Sequence, residues 1–112
     1  MSTYQEIQPS DLHAMLSSGT LLLVDVRNND EVAHGVIEGA IHIPLAMLPL
    51  QYDTLNKADK VVFYCHSGIR SAHAAAFAAN KGCKNVYNLS GGVLGWARAG
   101  YPFVPKANSP KN

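Results

Sequence analysis

One cysteine opens a short polar loop whose residue types could make its sulfur a nucleophile. Residues 65–71 read CHSGIRS, so Cys65 is followed by small residues and then by Arg70. Backbone amides of a tight loop, the positive end of a following helix and a nearby guanidinium all favour a thiolate. Such surroundings lower the pKa of a cysteine below its free value of about 8.5. The segment therefore predicts an anion-binding loop with an exposed, negatively charged sulfur at its mouth.

A buried structural cysteine is the simpler interpretation of Cys65 taken alone, because a cysteine that closes an apolar strand is often a small core residue. The loop favours a functional interpretation, since Gly68 lets the backbone curl and Arg70 adds positive charge. Arg70 has two possible roles: attracting an anionic donor, or clamping the loop through Asp25 or Glu31. We assign catalysis to Cys65 and Arg70, and substrate binding to His66, Ser67, Gly68, Ile69 and Ser71.

The elements on either side of the loop are predicted to position it. Residues 61–64 form a continuous apolar run of β-branched and aromatic residues, the pattern of a strand buried on both faces. An alanine-rich helix is predicted from about Ala72 to Lys81, and Gly82 is well placed to end it. A strand, a loop and a helix in this order direct the first helical N–H groups at the loop.

The rest of the chain alternates between predicted strands and predicted helices. The remaining strands are predicted at residues 4–7, 21–26, 40–43 and 85–89, and a polar turn at 56–60. Helices are predicted from Pro9 to a stop at Gly19, at 30–34, at 47–52 with a break at Pro49, and at 93–99. Buried strands that alternate with helices indicate an α/β domain with a largely parallel sheet covered on both faces.

Charged residues follow the second buried strand. That strand ends in Asp25-Val26-Arg27, and Glu31 lies in the next predicted helix. Because ligands of open α/β sheets gather at the carboxyl ends of strands, these residues are candidates for the edge of a site. The more economical interpretation is a structural ion pair of Arg27 with Asp25 or Glu31. We assign all three residues a supporting role.

The loop resembles the active-site loop of the rhodanese (thiosulfate sulfurtransferase) family, whose pattern is Cys-x-x-Gly-x-Arg-Ser. Three other stretches match in the same order over roughly residues 4–104: the Asp-x-Arg segment with its following Glu, the segment GVIEGAIHIP at 35–44, and a Gly91-Gly92 turn before a helix that carries Trp96. The two glycines are interpreted as a tight turn and a close approach to the neighbouring loop, and Trp96 as packing.

Two positions depart from the family pattern. Val36 stands where the family usually has histidine, and Glu38 stands where proline is common. Both departures affect the stiffness and polar bonding of that local segment and leave the thiol chemistry untouched.

The resemblance implies a single rhodanese-like domain at residues 1–104, with a five-stranded parallel core, helices on both sides and the active loop at the carboxyl edge of the sheet. Residues 105–112 are polar and are predicted to form a flexible tail. The implied activity moves a sulfane sulfur from thiosulfate or a related persulfide donor to a thiophilic acceptor, cyanide or a thiol, through a persulfide on Cys65. It needs no cofactor. A protein that accepts the sulfur is a further possible partner.

Two other functions are alternatives to sulfur transfer. Cysteine-dependent phosphatases and arsenate reductases also combine a cysteine, an anion-binding loop and an arginine, with five residues between the two. Here four residues separate Cys65 from Arg70, and no aspartic general acid is identifiable. A non-enzymatic regulatory or sulfur-carrier module is the other alternative, but the inactive units of the family typically lack the cysteine that is present here.

Composition limits the remaining classes. With 112 residues, 47% hydrophobic and 15% charged, the chain fits one ordinary globular domain. A net charge of +1 gives no argument for nucleic acid or an acidic membrane surface, and no apolar run approaches the ~20 residues of a membrane span. The N-terminus lacks the pattern of a secretory signal, so a cytoplasmic location is expected. Cys65 and Cys83 form no disulfide framework, and scattered histidines without a CxxC pair predict no metal.

Overall fold

The computed structural model describes residues 3–18 and 20–106. Five parallel strands form one sheet in the order β1-β5-β4-β2-β3. The predicted helix stop at Gly19 lies outside the described residues. The predicted α/β class with a five-stranded parallel sheet is confirmed. The strands are β1 (Gln5–Ile7), β2 (Leu21–Asp25), β3 (Ile41–His42), β4 (Lys60–Tyr64) and β5 (Val86–Leu89).

The central strand β4 carries the loop of interest. It pairs with β2 on one side and β5 on the other, and residues 61–64 are at most 1% exposed. A strand that is covered on both faces and paired along both edges is the most rigid support that a small parallel sheet offers. Cys65 follows this strand directly, at the carboxyl edge of the sheet.

Helices cover both faces of the sheet. On one face, Phe63 of β4 belongs to an apolar cluster with Ala74, Ala78 and Leu48; on the other face, Tyr64 belongs to a cluster with Trp96 and Leu12. The helices are α1 (Pro9–Leu16), α2 (Asn29–Val32), α3 (Leu48–Gln51), α4 (Ile69–Asn80) and α5 (Gly92–Arg98).

Helix α4 begins earlier than predicted. It starts at Ile69 rather than Ala72, because Gly68 has a φ of 105° and turns the chain immediately before the first helical residue. The alanines of α4 that face the sheet are at most 2% exposed, and their small side chains let the helix lie close to β4. Gly82 follows the helix with a φ of 99°, which confirms the predicted stop.

The segment before β4 differs from its prediction. Two 3-10 turns, Leu45–Met47 and Tyr52–Lys57, flank α3, where a short helix broken at Pro49 and then a polar turn were predicted. Pro49 does not break the helix, because it lies in the first turn of α3, where its missing N–H has no carbonyl to bind.

The segment after α5 is hydrogen-bonded to the rest of the domain. The backbone groups of Val104 and Val36 exchange two hydrogen bonds of 2.8 Å, and Trp96 Nε1 donates to the carbonyl of Pro102 at 2.8 Å. The chain is therefore fastened to the domain up to residue 104. The flexibility of residues 105–112 stays a prediction, and 107–112 lie outside the described residues.

Candidate active site

Three hydrogen-bond donors surround the sulfur of Cys65. The backbone N–H of Gly68 donates at 3.2 Å, the N–H of Ser71 at 3.4 Å and the Ser71 hydroxyl at 3.3 Å. Each donor comes from the loop or from the first turn of α4, so the helix N-terminus faces the sulfur with its positive end. This arrangement stabilises negative charge on the sulfur.

Helix α5 holds the loop carbonyls away from the sulfur. The N–H of Val93 donates to the Cys65 carbonyl at 2.9 Å, and the N–H of Leu94 donates to the His66 carbonyl at 3.2 Å. Gly92 allows this approach, since a β-carbon there would lie 2.4 Å from the Cys65 carbonyl oxygen. The predicted close approach of the Gly91-Gly92 turn to the loop is therefore confirmed.

The donors lower the pKa of the Cys65 thiol in spite of its burial. Burial by itself would raise this pKa, but the hydrogen bonds from Ser71 and Gly68 outweigh it. The fraction of Cys65 that is thiolate at neutral pH is therefore larger than for a free cysteine.

The sulfur is less accessible than predicted. Cys65 is only 1% exposed, where the sequence predicted an exposed sulfur at the mouth of the loop. The physical reason is that α4 begins directly after Gly68 and that Cys65 packs in the apolar cluster with Phe63 and Ala74. In this structure the amides turn toward the sulfur as predicted, while solvent is almost excluded.

Arg70 is paired with Glu31. Its two terminal nitrogens donate to the two carboxylate oxygens at 2.7 Å each, and both side chains are about one-third exposed. The Arg70 guanidinium lowers the pKa of Glu31 to about 2, and Glu31 in turn raises the pKa of Arg70. Of the two roles considered for Arg70, this geometry favours a clamp that ties the first turn of α4 to α2.

Asp25 and Arg27 form the second ion pair. Arg27 Nη2 lies 2.8 Å from Asp25 Oδ2, and both side chains are nearly inaccessible. The same Nη2 donates to the carbonyl of Gly35 at 2.7 Å. The structure thus pairs Arg27 with Asp25 rather than Glu31, and this pair fixes the chain near Gly35.

A pocket with a volume of about 450 Å³ opens beside the loop. His66 and Arg70 of the loop form part of its wall, and Phe103 from the C-terminal segment forms another part. Ser67 and Ile69 are exposed, and Ile69 is 68% exposed. The other charged or titratable residues that line the pocket are Arg27, Glu31 and His34.

Two residues at the site were missed by the sequence analysis. Asn88 of β5 donates from Nδ2 to the Gly68 carbonyl at 3.1 Å, and the same nitrogen contacts the carboxylate of Glu6 at 3.0 and 3.1 Å. The available signal was an asparagine near the end of the predicted strand NVYNL, between Tyr87 and Leu89. Nothing in the sequence showed that this residue reaches Gly68, because the neighbouring positions of β5 and the loop are set by the sheet order.

A comparison with protein-family models matches the rhodanese-like domain over residues 8–99. The chain belongs to the rhodanese-like family. The resemblance inferred from the loop is therefore confirmed.

Several known proteins are similar to this rhodanese-like domain. A sulfurtransferase from Allochromatium vinosum is 42% identical over 84 residues, which cover 75% of this chain and 78% of that protein. A thiosulfate sulfurtransferase GlpE from Actinobacillus succinogenes is 34% identical over 100 residues, with coverage of 89% and 90%. The structure of a rhodanese-related protein from Thermoplasma volcanium matches with a TM-score of 0.82 at 31% identity, covering 90% of this chain and 98% of that one.

The relatives support sulfur transfer as the general class of chemistry. A tRNA uridine(34) hydroxylase from Photorhabdus laumondii is also 35% identical over 102 residues, but the match covers only 29% of that protein. Within residues 3–18 and 20–106, no three His, Cys, Asp or Glu side chains converge as a metal ion would require, and no helix is long and apolar enough to cross a bilayer.

Proposed function

We propose that this rhodanese-like domain is a sulfurtransferase that carries a sulfane sulfur as a persulfide on Cys65. The observation that supports this most is the set of three donors within 3.4 Å of the Cys65 sulfur, two from Ser71 and one from Gly68. Amides that stabilise a thiolate at a helix N-terminus produce the kind of nucleophile that covalent catalysis needs.

The reaction proceeds in two displacements at sulfur. The Cys65 thiolate attacks the outer sulfur of the donor, a new S–S bond forms, and the electron pair of the old bond leaves with sulfite from thiosulfate or with a thiolate from an organic persulfide. An acceptor thiolate or cyanide then attacks the terminal sulfur, and Cys65 departs as a thiolate. The electrons balance between donor and acceptor, so the cycle needs no cofactor.

The same donors serve both displacements. In the first, they raise the fraction of Cys65 that is ionised; in the second, they stabilise the departing thiolate, and a thiol of lower pKa leaves faster. Preorganised N–H groups cost no reorganisation at the moment of reaction, which is the principle of an oxyanion hole applied to sulfur. Ser71 contributes two of the three donors.

The charges of the pocket bear on the choice of donor. Its two guanidinium groups are each paired with a carboxylate, Arg27 with Asp25 and Arg70 with Glu31. This pairing offers little excess positive charge to a small dianion such as thiosulfate. The volume of about 450 Å³ falls in the range that holds an organic ligand. We propose that an organic persulfide is used as well as thiosulfate, with a small thiol or a protein thiol as acceptor.

The donor reaches the sulfur through a movement of the loop. Cys65 is 1% exposed, whereas the adjacent His66 and Ile69 lie at the surface. We therefore propose that the outer part of the loop opens to admit the donor from the pocket side. A thiolate of this kind persists where thiols are kept reduced, so we place the protein in the cytoplasm.

Incubation with donor alone tests the covalent scheme. Thiosulfate or glutathione persulfide is expected to add about 32 Da, one sulfur atom, to the tryptic peptide of residues 61–70, and cyanide is expected to remove it as thiocyanate. The peptide that contains Cys83 serves as the internal control and is expected to stay unmodified. Sulfur on Cys83 alone would contradict the assignment, and phosphate release from an aryl phosphate without sulfur transfer would favour the phosphatase alternative.

A further inference from the structure

We infer that Asn88 is a positioning residue for the nucleophile, acting on the Cys65 sulfur through Gly68. The inference rests on the proposed function, because it concerns the reactivity of the same sulfur. Asn88 lies on β5, in register with Phe63 of the central strand on one side and with Glu6 of β1 on the other. Its side chain therefore stands beside the end of β4, where the loop begins.

Gly68 connects Asn88 to the sulfur. Its N–H donates to Cys65 Sγ at 3.2 Å, while its carbonyl accepts from Asn88 Nδ2 at 3.1 Å and from the N–H of Ala72 at 3.2 Å. Gly68 has a φ of 105°, a conformation that a glycine can leave easily. The hydrogen bond from Asn88 restrains the Gly68 carbonyl, which shares a peptide plane with the N–H of Ile69 at the start of α4. Only the φ and ψ bonds of Gly68 separate this plane from the N–H that faces the sulfur, so the restraint reduces the freedom of that N–H.

The buried side chain of Asn88 is satisfied at one end of its amide and unpaired at the other. Asn88 is 2% exposed, and its Oδ1 is the only buried side-chain oxygen or nitrogen among the described residues that lacks a hydrogen-bond partner. A buried carbonyl without a donor is unfavourable, and an apolar residue of the same size would avoid it. Nδ2, at the other end of the amide, bonds Glu6 and Gly68, so the side chain of Asn88 acts on the loop through Nδ2.

Glu6 completes the arrangement. Its two carboxylate oxygens lie 3.1 and 3.0 Å from Asn88 Nδ2, and they accept one N–H while the Gly68 carbonyl accepts the other. The carboxylate has no proton to donate when ionised, so it selects the orientation in which the NH₂ group of Asn88 faces both partners. Glu6 is exposed and lies on the edge strand β1, so its substitution leaves the core intact.

Asn88→Leu is the decisive variant, because leucine has a similar size and removes both the donor and the unpaired Oδ1. The folded protein is alkylated with iodoacetamide over a range of pH. The rate for Cys65 is then read from the tryptic peptide of residues 61–70. We expect a higher apparent thiol pKa than in the unmodified protein, and persulfide formation slower by about tenfold, less than the ~10²-fold that a 1 Å misplacement can cost. The urea midpoint is expected to stay level or rise.

Matched variants separate positioning from general damage. Tyr87→Phe lies on the same strand with its side chain on the opposite face, and it is expected to leave the thiol pKa unchanged. Glu6→Gln keeps an oxygen that accepts from Asn88, so the pH profile of Cys65 alkylation is expected to stay unchanged. Glu6→Leu removes that oxygen and is expected to raise the apparent thiol pKa, as Asn88→Leu does. If Asn88→Leu fails to fold, the inference is tested with the two Glu6 variants, because Glu6 is exposed and its substitution is expected to leave the fold intact.

Two results would overturn the inference. The first is an unchanged thiol pKa and persulfide rate in folded Asn88→Leu. The second applies if that variant does not fold, and it is the same pH profile of Cys65 alkylation in Glu6→Gln and Glu6→Leu. The pH profile of alkylation is independent of sulfur transfer. A protein in which Asn88→Leu shifts the thiol pKa but no persulfide forms with any donor would refute the proposed function and uphold the positioning role.

Discussion

The two ends of helix α4 each carry a cysteine, and the two cysteines differ in the property that decides their chemistry. Cys65 precedes the N-terminus of the helix and is 1% exposed, whereas Cys83 follows the C-terminus and is half-buried. The pKa of Cys65 is lowered, while burial raises the pKa of Cys83. The more accessible thiol is thus the less ionised of the two at neutral pH.

The direction of the helix explains the difference. At the N-terminus, N–H groups without helical partners face the Cys65 sulfur. At the C-terminus the unpartnered groups are carbonyls, and there the N–H of Cys83 itself donates to the carbonyl of Ala78 at 3.1 Å. Burial acts against the charged form at both ends, so the local donors decide whether a thiolate forms. The less exposed of the two cysteines is therefore the one whose surroundings favour the thiolate.

The largest expected effect comes from removing the sulfur of Cys65, with removal of the Cys83 sulfur as the matched control. Cys65→Ser is expected to reduce sulfur transfer from thiosulfate to cyanide by more than about a thousandfold, because the covalent intermediate cannot form. Cys83→Ser is expected to leave the rate unchanged. Both variants are checked for the same thermal midpoint as the unmodified protein. Substantial turnover by Cys65→Ser would contradict both the covalent mechanism and the difference in role between the two cysteines.

A smaller effect is expected from two glycines with positive φ, one near each cysteine. At Gly92 (φ 57°) a β-carbon would overlap the Cys65 and His66 carbonyls, whereas at Gly82 (φ 99°) it would meet nothing within 4 Å. Gly92→Ala is expected to lower the free energy of unfolding by about 3 kcal/mol and to slow persulfide formation. Gly82→Ala is expected to cost only the backbone strain, about 1 kcal/mol.

Urea unfolding curves measure both variants, and the persulfide rate is followed by mass. Equal destabilisation by the two substitutions would show that the contact between α5 and the loop carbonyls is not needed to hold the loop.

The smallest expected effect concerns the clamp between Glu31 and Arg70, which ties the N-terminal end of α4 to α2. Because the pKa of Glu31 falls from 4.5 to about 2 on folding, the stability from this pair is present above pH 4.5 and is lost as the pH falls toward 2. The pair is partly exposed, so the loss is expected to stay below about 1 kcal/mol. Chemical denaturation at pH 5 and pH 3 measures it.

Glu31→Gln is expected to remove this part of the pH dependence, and Glu38→Gln, at an exposed carboxylate elsewhere, is expected to retain it. A pH dependence that is the same in both variants would mean that the clamp contributes nothing measurable to the folded state.

Much of the architecture was predictable because burial leaves a strong pattern in the chain. The apolar run of residues 61–64 identified the central strand, and the glycines at 82 and 92 identified a helix stop and a close contact. The first turn of α4 was missed because residues 69–71 read as loop until Gly68 is seen in its left-handed conformation. Pro49 was misread as a break for a related reason, since its effect depends on its place within the helix.

The sequence by itself determined the family, through four short motifs in matching order, and also the strand that carries the loop and the residue types in that loop. Each of these patterns depends on neighbours within a few positions of the chain. Only the tertiary structure decided that Arg70 faces Glu31 rather than Asp25, that Asn88 reaches Gly68 and that Cys65 is nearly sealed from solvent. Each of these contacts joins residues at least 20 positions apart or depends on how the loop is covered. Their partners are set by the order of strands in the sheet, which no local pattern records.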